Sequence, residues 1–163
     1  MANAKQARLL IQKWQKTPCT EKNGKAQKLI INPWNARVKR KVDCRYVAWC
    51  GITIASLLMQ IGVKTLSLSA SVKTQIQYYK KKKRWVKVGT RPAAGYIIFV
   101  DTKKGGKGSA THEGLVTLTR ADGTGVYTSG NCKDSVLPMS FNWKTGKSGT
   151  KGGVKGYAKP YYK

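Results

Sequence analysis

Apolar residues in the first half of the chain recur every three or four positions, which is the spacing of one helix face. This pattern predicts an amphipathic helix over about the first sixteen residues, ended by Thr17-Pro18. It also predicts a buried central helix over 50–61, with Gly62 as its C-terminal cap, and a weaker helix over 69–80. Between the first two helices, the turn pairs Asn23-Gly24 and Asn32-Pro33 and a basic run predict a long ordered loop over 19–45, with at most one short strand or helical turn around LII.

After Lys83 the period changes to alternating or short apolar runs, which are typical of strands. Glycine-rich connections between these runs supply the turns that antiparallel hairpins need. Helices first and antiparallel strands second predict an α+β domain in which the central helix packs on the sheet. At 163 residues, we expect a single domain over 1–163. The predicted strands are RWVKV, GYIIFV, HEGLVTLT, GVYTS, SVLPMSF and VKGYA.

The chain carries 32 Lys and Arg against 6 Asp and Glu, a formal net charge of +26. A surface with this charge attracts polyanions. Most of the cations are lysines spread along the whole chain, and lysine lacks the planar fork with which arginine reads nucleic-acid bases. We therefore expect anionic polymers as partners, no specific nucleic acid, and a monomer.

Four cysteines, at positions 19, 44, 50 and 132, form no CxxC pair. The N-terminal residues contain neither an apolar signal-peptide core nor a membrane-spanning stretch. We therefore expect a protein made in the cytoplasm without a signal peptide, with free thiols. Because there is one histidine and the cysteines are scattered, we expect no metal site and no cofactor.

Cys50 begins the predicted central helix, and His112 is the single histidine of the chain. A cysteine at a helix N-terminus gains from unpaired backbone amides and from the positive end of the helix dipole, which both favour the thiolate. Because no other imidazole can take a proton near neutral pH, a thiol mechanism must use His112. Asn131, just beyond the strand expected to pair with that of His112, can orient the imidazole. The alternative is that Cys50 is a small buried core residue and His112 a hydrogen-bonded structural one.

Five blocks of the sequence occur in the order and spacing of a known family. WCGITIASLLMQIGV, RPAAGYIIFV, THEGLVTLT, YTSGN and GGVKGYAKPYY resemble the cysteine, histidine-dependent amidohydrolases and peptidases (CHAP family) in the form found in phage endolysins. The resemblance covers about 43–162. It implies a papain-like α+β fold with N-terminal helices packed on an antiparallel sheet, and cleavage of an amide bond in peptidoglycan. It also implies Cys50 as the nucleophile and His112 as general base and then acid.

The chain departs from the pattern of this family at a position near the candidate site. Ser129 stands where the family usually has an acidic residue, two positions before the Asn. Orientation of the imidazole then falls to Asn131 or to another group. Glu113 is not expected to replace the acid, because adjacent strand residues face opposite ways. Trp49 and Ser129 are expected to contact substrate. Some relatives bind calcium through acidic residues just before the nucleophile, but only Asp43 is available here, so we expect no calcium.

These observations together predict an endolysin-like peptidoglycan hydrolase, either an N-acetylmuramoyl-L-alanine amidase or a peptidase. We expect it to be made in the cytoplasm of the host cell, to act at the bacterial cell wall and to be held there by its basic surface. One alternative is a catalytically inactive protein on the same scaffold that binds polyanions or nucleic acid. Another is a thiol hydrolase that acts on an intracellular peptide or isopeptide bond.

Overall fold

The computed structural model describes residues 2–162. Its first half is helical, as the spacing of apolar residues predicts. A π-helix over Gln27–Ile31 leads into the second α-helix, and a short 3₁₀ turn over Cys44–Tyr46 precedes the third. The α-helices are α1 (Ala4–Lys16), α2 (Asn32–Val38), α3 (Cys50–Gln60) and α4 (Val72–Lys81).

The segment over 19–45, predicted to be a loop, contains the main local difference from the sequence prediction. The Asn32-Pro33 pair, read as a turn, begins α2 instead, because proline is tolerated in the first turn of a helix, where its missing amide has no partner to lose. Ile30, Ile31 and Trp34 are buried in the core shared with α3. Burial of these three side chains stabilises helical structure in a stretch whose polar residues obscure the pattern.

The second half consists of antiparallel strands, and all but the two-residue β6 lie at predicted positions. They form one sheet in the order β1-β7-β2-β3-β4-β5-β6. The strands are β1 (Trp85–Val86), β2 (Ile97–Asp101), β3 (His112–Thr119), β4 (Thr124–Cys132), β5 (Ser135–Asn142), β6 (Lys147–Ser148) and β7 (Gly152–Ala158).

The expected papain-like arrangement, in which helices pack on an antiparallel sheet, is wrong in one essential respect: the sheet closes. Strand β6 pairs with β7 as well as with β5, so the six strands β2 to β7 form a barrel. Ser148 makes the closure, since it lies opposite Phe141 on one side and Gly152 on the other. The sequence predicted only a glycine-rich connection here, because a two-residue strand is too short to show any periodicity.

The core has two parts, one on each face of the sheet, and the strands contribute side chains to both. Strand β2 is buried along its whole length, so it reads as a continuous apolar run. Ile97 and Phe99 join the core formed with the helices, whereas Ile98 and Val100 join a second core with Val116 and Tyr127. Because successive strand residues point to opposite faces, this second core fills the barrel.

The central helix α3 packs on the outside of the barrel, against β3 and β4. Its residues from Cys50 to Leu58 are all buried, which explains why it has the longest apolar run in the chain. This packing brings the start of α3 to the start of β3. No helix within residues 2–162 is long and apolar enough to cross a membrane.

Candidate active site

Cys50 is the first residue of α3, as the sequence predicts. Its thiol is buried and interacts with the backbone amide of Glu113, the second residue of β3. Burial and, to a smaller extent, the nearby Glu113 carboxyl raise the pKa of Cys50 to about 12, although hydrogen bonds from the backbone amides of Glu113 and Gly51 act in the opposite direction. In the free protein at neutral pH, Cys50 is therefore a thiol.

His112 is the first residue of β3 and is also buried. Its Nε2 lies 2.7 Å from Oγ of Ser129 and 3.4 Å from Sγ of Cys132, both on β4. Burial lowers the pKa of His112 from 6.5 to about 4, because the charged imidazolium loses its hydration. The imidazole is therefore neutral at pH 7 and able to accept a proton.

The hydrogen bonds of Ser129 determine which imidazole nitrogen carries the proton. Its hydroxyl lies 2.5 Å from the carbonyl oxygen of Glu113 and 3.1 Å from that of Gly130. A carbonyl only accepts, and a hydroxyl has one proton, so Ser129 donates to a carbonyl and accepts from His112. The network therefore assigns the proton to Nε2 and leaves Nδ1 of the neutral imidazole free to act as a base.

Cys50 and His112 are both at the junction of α3 and β3, but they are not hydrogen-bonded to each other among residues 2–162. His112 lies opposite Val100, a residue of the barrel core, whereas Glu113 lies opposite Phe99, a residue of the helix-facing core. The thiol that is hydrogen-bonded to the imidazole belongs to Cys132. Sequence reasoning did not select Cys132, and no local pattern marks it, because its place beside His112 depends on the pairing of β3 with β4.

Asn131, expected to orient the imidazole, does not do so in this structure. Its backbone has a φ of 57°, in the left-handed region, and its side chain makes no hydrogen bond within the described chain. Ser129 performs this function instead, from the position where the CHAP resemblance expects an acidic residue. The CHAP resemblance therefore marked position 129 as the one beside the histidine, but Ser129 itself was expected to contact substrate.

Trp49 and Ser129 were both expected to contact substrate, yet both side chains are fully buried. The indole Nε1 of Trp49 donates to Oε1 of Glu21 at 2.7 Å. A Cβ at Gly130 would overlap Thr53 Oγ1 and come within 2.6 Å of the Trp49 ring, so only glycine allows β4 to approach α3 so closely. Trp49 thus fixes the start of α3 against β4 rather than presenting a surface to substrate.

A cleft of about 540 Å³ lies next to these elements. Glu21 connects it to the start of α3 through the bond to Trp49, and Asp134 connects it to the end of β4. Asp43 in its wall pairs with Arg45 at 2.6 Å, and this guanidinium holds the pKa of Asp43 at about 2. The residues that line the cleft are Glu21, Lys22, Gly24, Gln27, Asp43, Cys44, Arg45 and Asp134.

Comparison of the chain with models of protein families and with curated proteins finds no match. The resemblance to the CHAP family therefore depends on the five sequence blocks.

Proposed function

We propose that this protein is a cysteine-dependent hydrolase that cleaves an amide bond in peptidoglycan, with Cys50 as nucleophile and His112 as general base. The observation that carries the proposal is the bond between Ser129 Oγ and Nε2 of the only histidine. An imidazole with one nitrogen fixed by a buried partner and the other free to accept is the arrangement that acyl transfer requires. The strand that begins with His112 packs against α3, which begins with a cysteine.

Two thiols are candidates for the nucleophile: Cys132, which contacts the imidazole, and Cys50, which contacts the next residue of β3, Glu113. The tautomer of His112 distinguishes them. Nε2 faces Cys132 but already carries a proton, so it cannot take the proton of that thiol. Nδ1 is the nitrogen that can act as a base. Cys50 is the better nucleophile, because it has backbone amides of the helix start beside it that favour a thiolate and can stabilise an oxyanion.

The reaction follows from these roles. Nδ1 takes the proton of the Cys50 thiol, and the thiolate attacks the carbonyl carbon of the substrate amide. The resulting imidazolium returns the proton to the leaving amine, and water then hydrolyses the acyl-enzyme with His112 again as base. A thiolate beside it raises the pKa of His112, because an opposite charge favours the imidazolium. The His112 side chain lies on the face of β3 opposite that of Glu113, so this mechanism requires the imidazole and the Cys50 thiol to move together when substrate binds.

The choice of peptidoglycan as substrate is supported by the five sequence blocks and by the net charge of +26. Bacterial walls carry dense phosphate and carboxylate charge, which attracts a cationic domain over long distances. The basic surface would thus hold the enzyme on the wall without a separate binding module. Exposed lysines at the end of α4 and in the β2–β3 loop contribute to this surface.

Loss of turbidity of purified cell walls tests the proposal with three single variants. Cys50→Ala and His112→Ala should each lower the lysis rate at least about 100-fold, since a positioned base alone contributes a factor of this order. Cys132→Ala should remain active and serves as the matched control, because it removes the thiol that contacts His112. Circular dichroism checks that each variant is folded. Full activity of Cys50→Ala, with loss of activity in Cys132→Ala, would reverse the assignment of the nucleophile. A wild-type protein that binds walls but lyses none would instead support the non-catalytic polyanion-binding function.

A further inference from the structure

Glu113 is a buried carboxyl group that the proposed reaction does not use. It is fully buried, and neither carboxyl oxygen has a hydrogen-bond partner within residues 2–162. A lone carboxylate in such surroundings is strongly disfavoured, since nothing replaces its lost hydration. Burial accordingly raises the pKa of Glu113 from 4.5 to about 8, so the group is mainly protonated at neutral pH.

The Glu113 side chain points at the start of α3. A Cβ built on Gly51 would overlap the carbonyl oxygen of Ala70 and lie 2.9 Å from Glu113 Oε1, so the glycine after the nucleophile makes room for both the Ala70 backbone and this carboxyl. Helix α4 also fixes Gly51, because the Gln75 side chain donates to the carbonyl oxygen of Gly51 at 3.0 Å. The carboxyl therefore has a defined position beside Cys50.

Two titratable groups face Glu113 from the elements packed against it. They are the Cys50 thiol on α3 and the Tyr79 hydroxyl on α4, and the pKa of each is raised first by burial and then by the charge of Glu113. Gln75 adds an uncharged amide. On its own strand, the neighbouring His112 side chain is bonded to Ser129 and lies on the other face. No basic side chain is paired with Glu113 within the described chain.

We propose that Glu113 is a positioning residue that controls whether Cys50 can become a thiolate, an inference that rests on Cys50 being the nucleophile. When protonated, the carboxyl is neutral and can donate a hydrogen bond to the thiolate sulfur. When ionised, it repels the thiolate. During the reaction the Cys50 proton goes to His112, and Glu113 keeps its own. Ionisation of Glu113 thus switches the nucleophile off at alkaline pH.

Carbon NMR of the unmodified protein gives the first test. The chain contains only two glutamates, Glu21 and Glu113, so labelling the side-chain carboxyl carbon yields two resonances. Loss of one resonance in Glu113→Gln assigns it. We expect the Glu113 resonance to titrate with a midpoint near pH 8. A midpoint below about 6 would overturn the proposal, because the carboxyl would then be ionised at neutral pH.

The second test measures the thiol itself. Iodoacetamide labelling of the Cys50 peptide, followed by mass spectrometry, is carried out from pH 6 to pH 10 on wild type, Glu113→Gln and Asp122→Asn. Glutamine keeps the shape and a donor but cannot ionise. The ratio of the Glu113→Gln rate to the wild-type rate should therefore rise about tenfold from pH 6 to pH 10, since the wild-type carboxylate disfavours the thiolate only at high pH. Asp122→Asn, which removes an equal charge from the exposed turn before β4, should keep a constant ratio.

A Glu113→Gln ratio that does not change with pH would refute the coupling. If this variant fails to fold, the NMR titration of the wild type still decides the ionisation state of Glu113. Both readouts are independent of wall lysis. A Cys50→Ala protein that still lyses walls would therefore refute the proposed function while leaving the coupling between Glu113 and Cys50 measurable.

Discussion

Ser129→Ala is the substitution that most directly tests the arrangement around the imidazole. It removes one oxygen atom and leaves a side chain that fits the same space. The Nε2 proton of His112 then keeps only the sulfur of Cys132 at 3.4 Å, and the carbonyl oxygen of Glu113 or Gly130 that accepted from Ser129 loses its donor. All of these groups lie in a fully buried region around position 129, so solvent cannot readily replace the lost contacts.

The cost in stability follows from this loss of contacts. An unpaired buried polar group costs about 1–3 kcal/mol, so we expect the free energy of unfolding to fall by about 2 kcal/mol. In a domain of 163 residues this corresponds to a Tm lower by about 4–8 °C. We also expect lysis to slow at least about tenfold, because an imidazole without its partner no longer prefers the Nε2 tautomer and its base nitrogen becomes partly blocked.

Nitrogen NMR provides the decisive assay, since one histidine gives one pair of ring nitrogen resonances. The wild type at pH 7 should show a protonated Nε2 and an unprotonated Nδ1, and Ser129→Ala should show a mixture of tautomers. Ser140→Ala, at an exposed position on β5, is the control and should match the wild type in tautomer and Tm. A wild-type protein with its proton on Nδ1 would refute the reasoning, as would a Ser129→Ala variant with unchanged Tm and tautomer.

Two further predictions concern pH and salt. Folding lowers the pKa of His112 from 6.5 to about 4, so the free energy of unfolding falls as pH drops from 6.5 towards 4. Folding raises the pKa of Glu113 from 4.5 to about 8, so the free energy of unfolding falls as pH rises from 4.5 towards 8. The two pH dependences cancel between pH 4.5 and 6.5. From pH 6.5 to 8, urea unfolding should show a loss of about 2 kcal/mol in the free energy of unfolding of the wild type, and no such loss in Glu113→Gln. An equal loss in both proteins would contradict Glu113 as its origin. Wall binding should fall steeply as salt rises, because exposed charges are screened over roughly 8 Å at physiological ionic strength. A Lys81→Glu/Lys82→Glu variant and a Lys103→Glu/Lys104→Glu variant should weaken pull-down on walls to a similar extent, and salt-independent binding would show that specific contacts hold the protein instead.

Elements with a strong local pattern could be predicted from the sequence. The helices α1, α3 and α4 occur where apolar residues repeat at helical spacing, and the longer strands occur where the period changes to two. The start of α3 at Cys50 and the start of β3 at His112 follow from the same local signals. The candidate cysteine and histidine could therefore be placed at the ends of two elements before the structure was considered.

The tertiary structure decided how those elements meet. Closure of the barrel depends on two residues of β6, which carry no periodicity, and it converts the expected sheet into a different architecture. The contacts of His112 with Ser129 and Cys132 depend on the alignment of β3 with β4, across about twenty residues of chain. The approach of Glu113 to Cys50 depends on the packing of α3 against β3. Such contacts join residues that are distant in sequence, and local periodicity contains no information about which distant partners will meet.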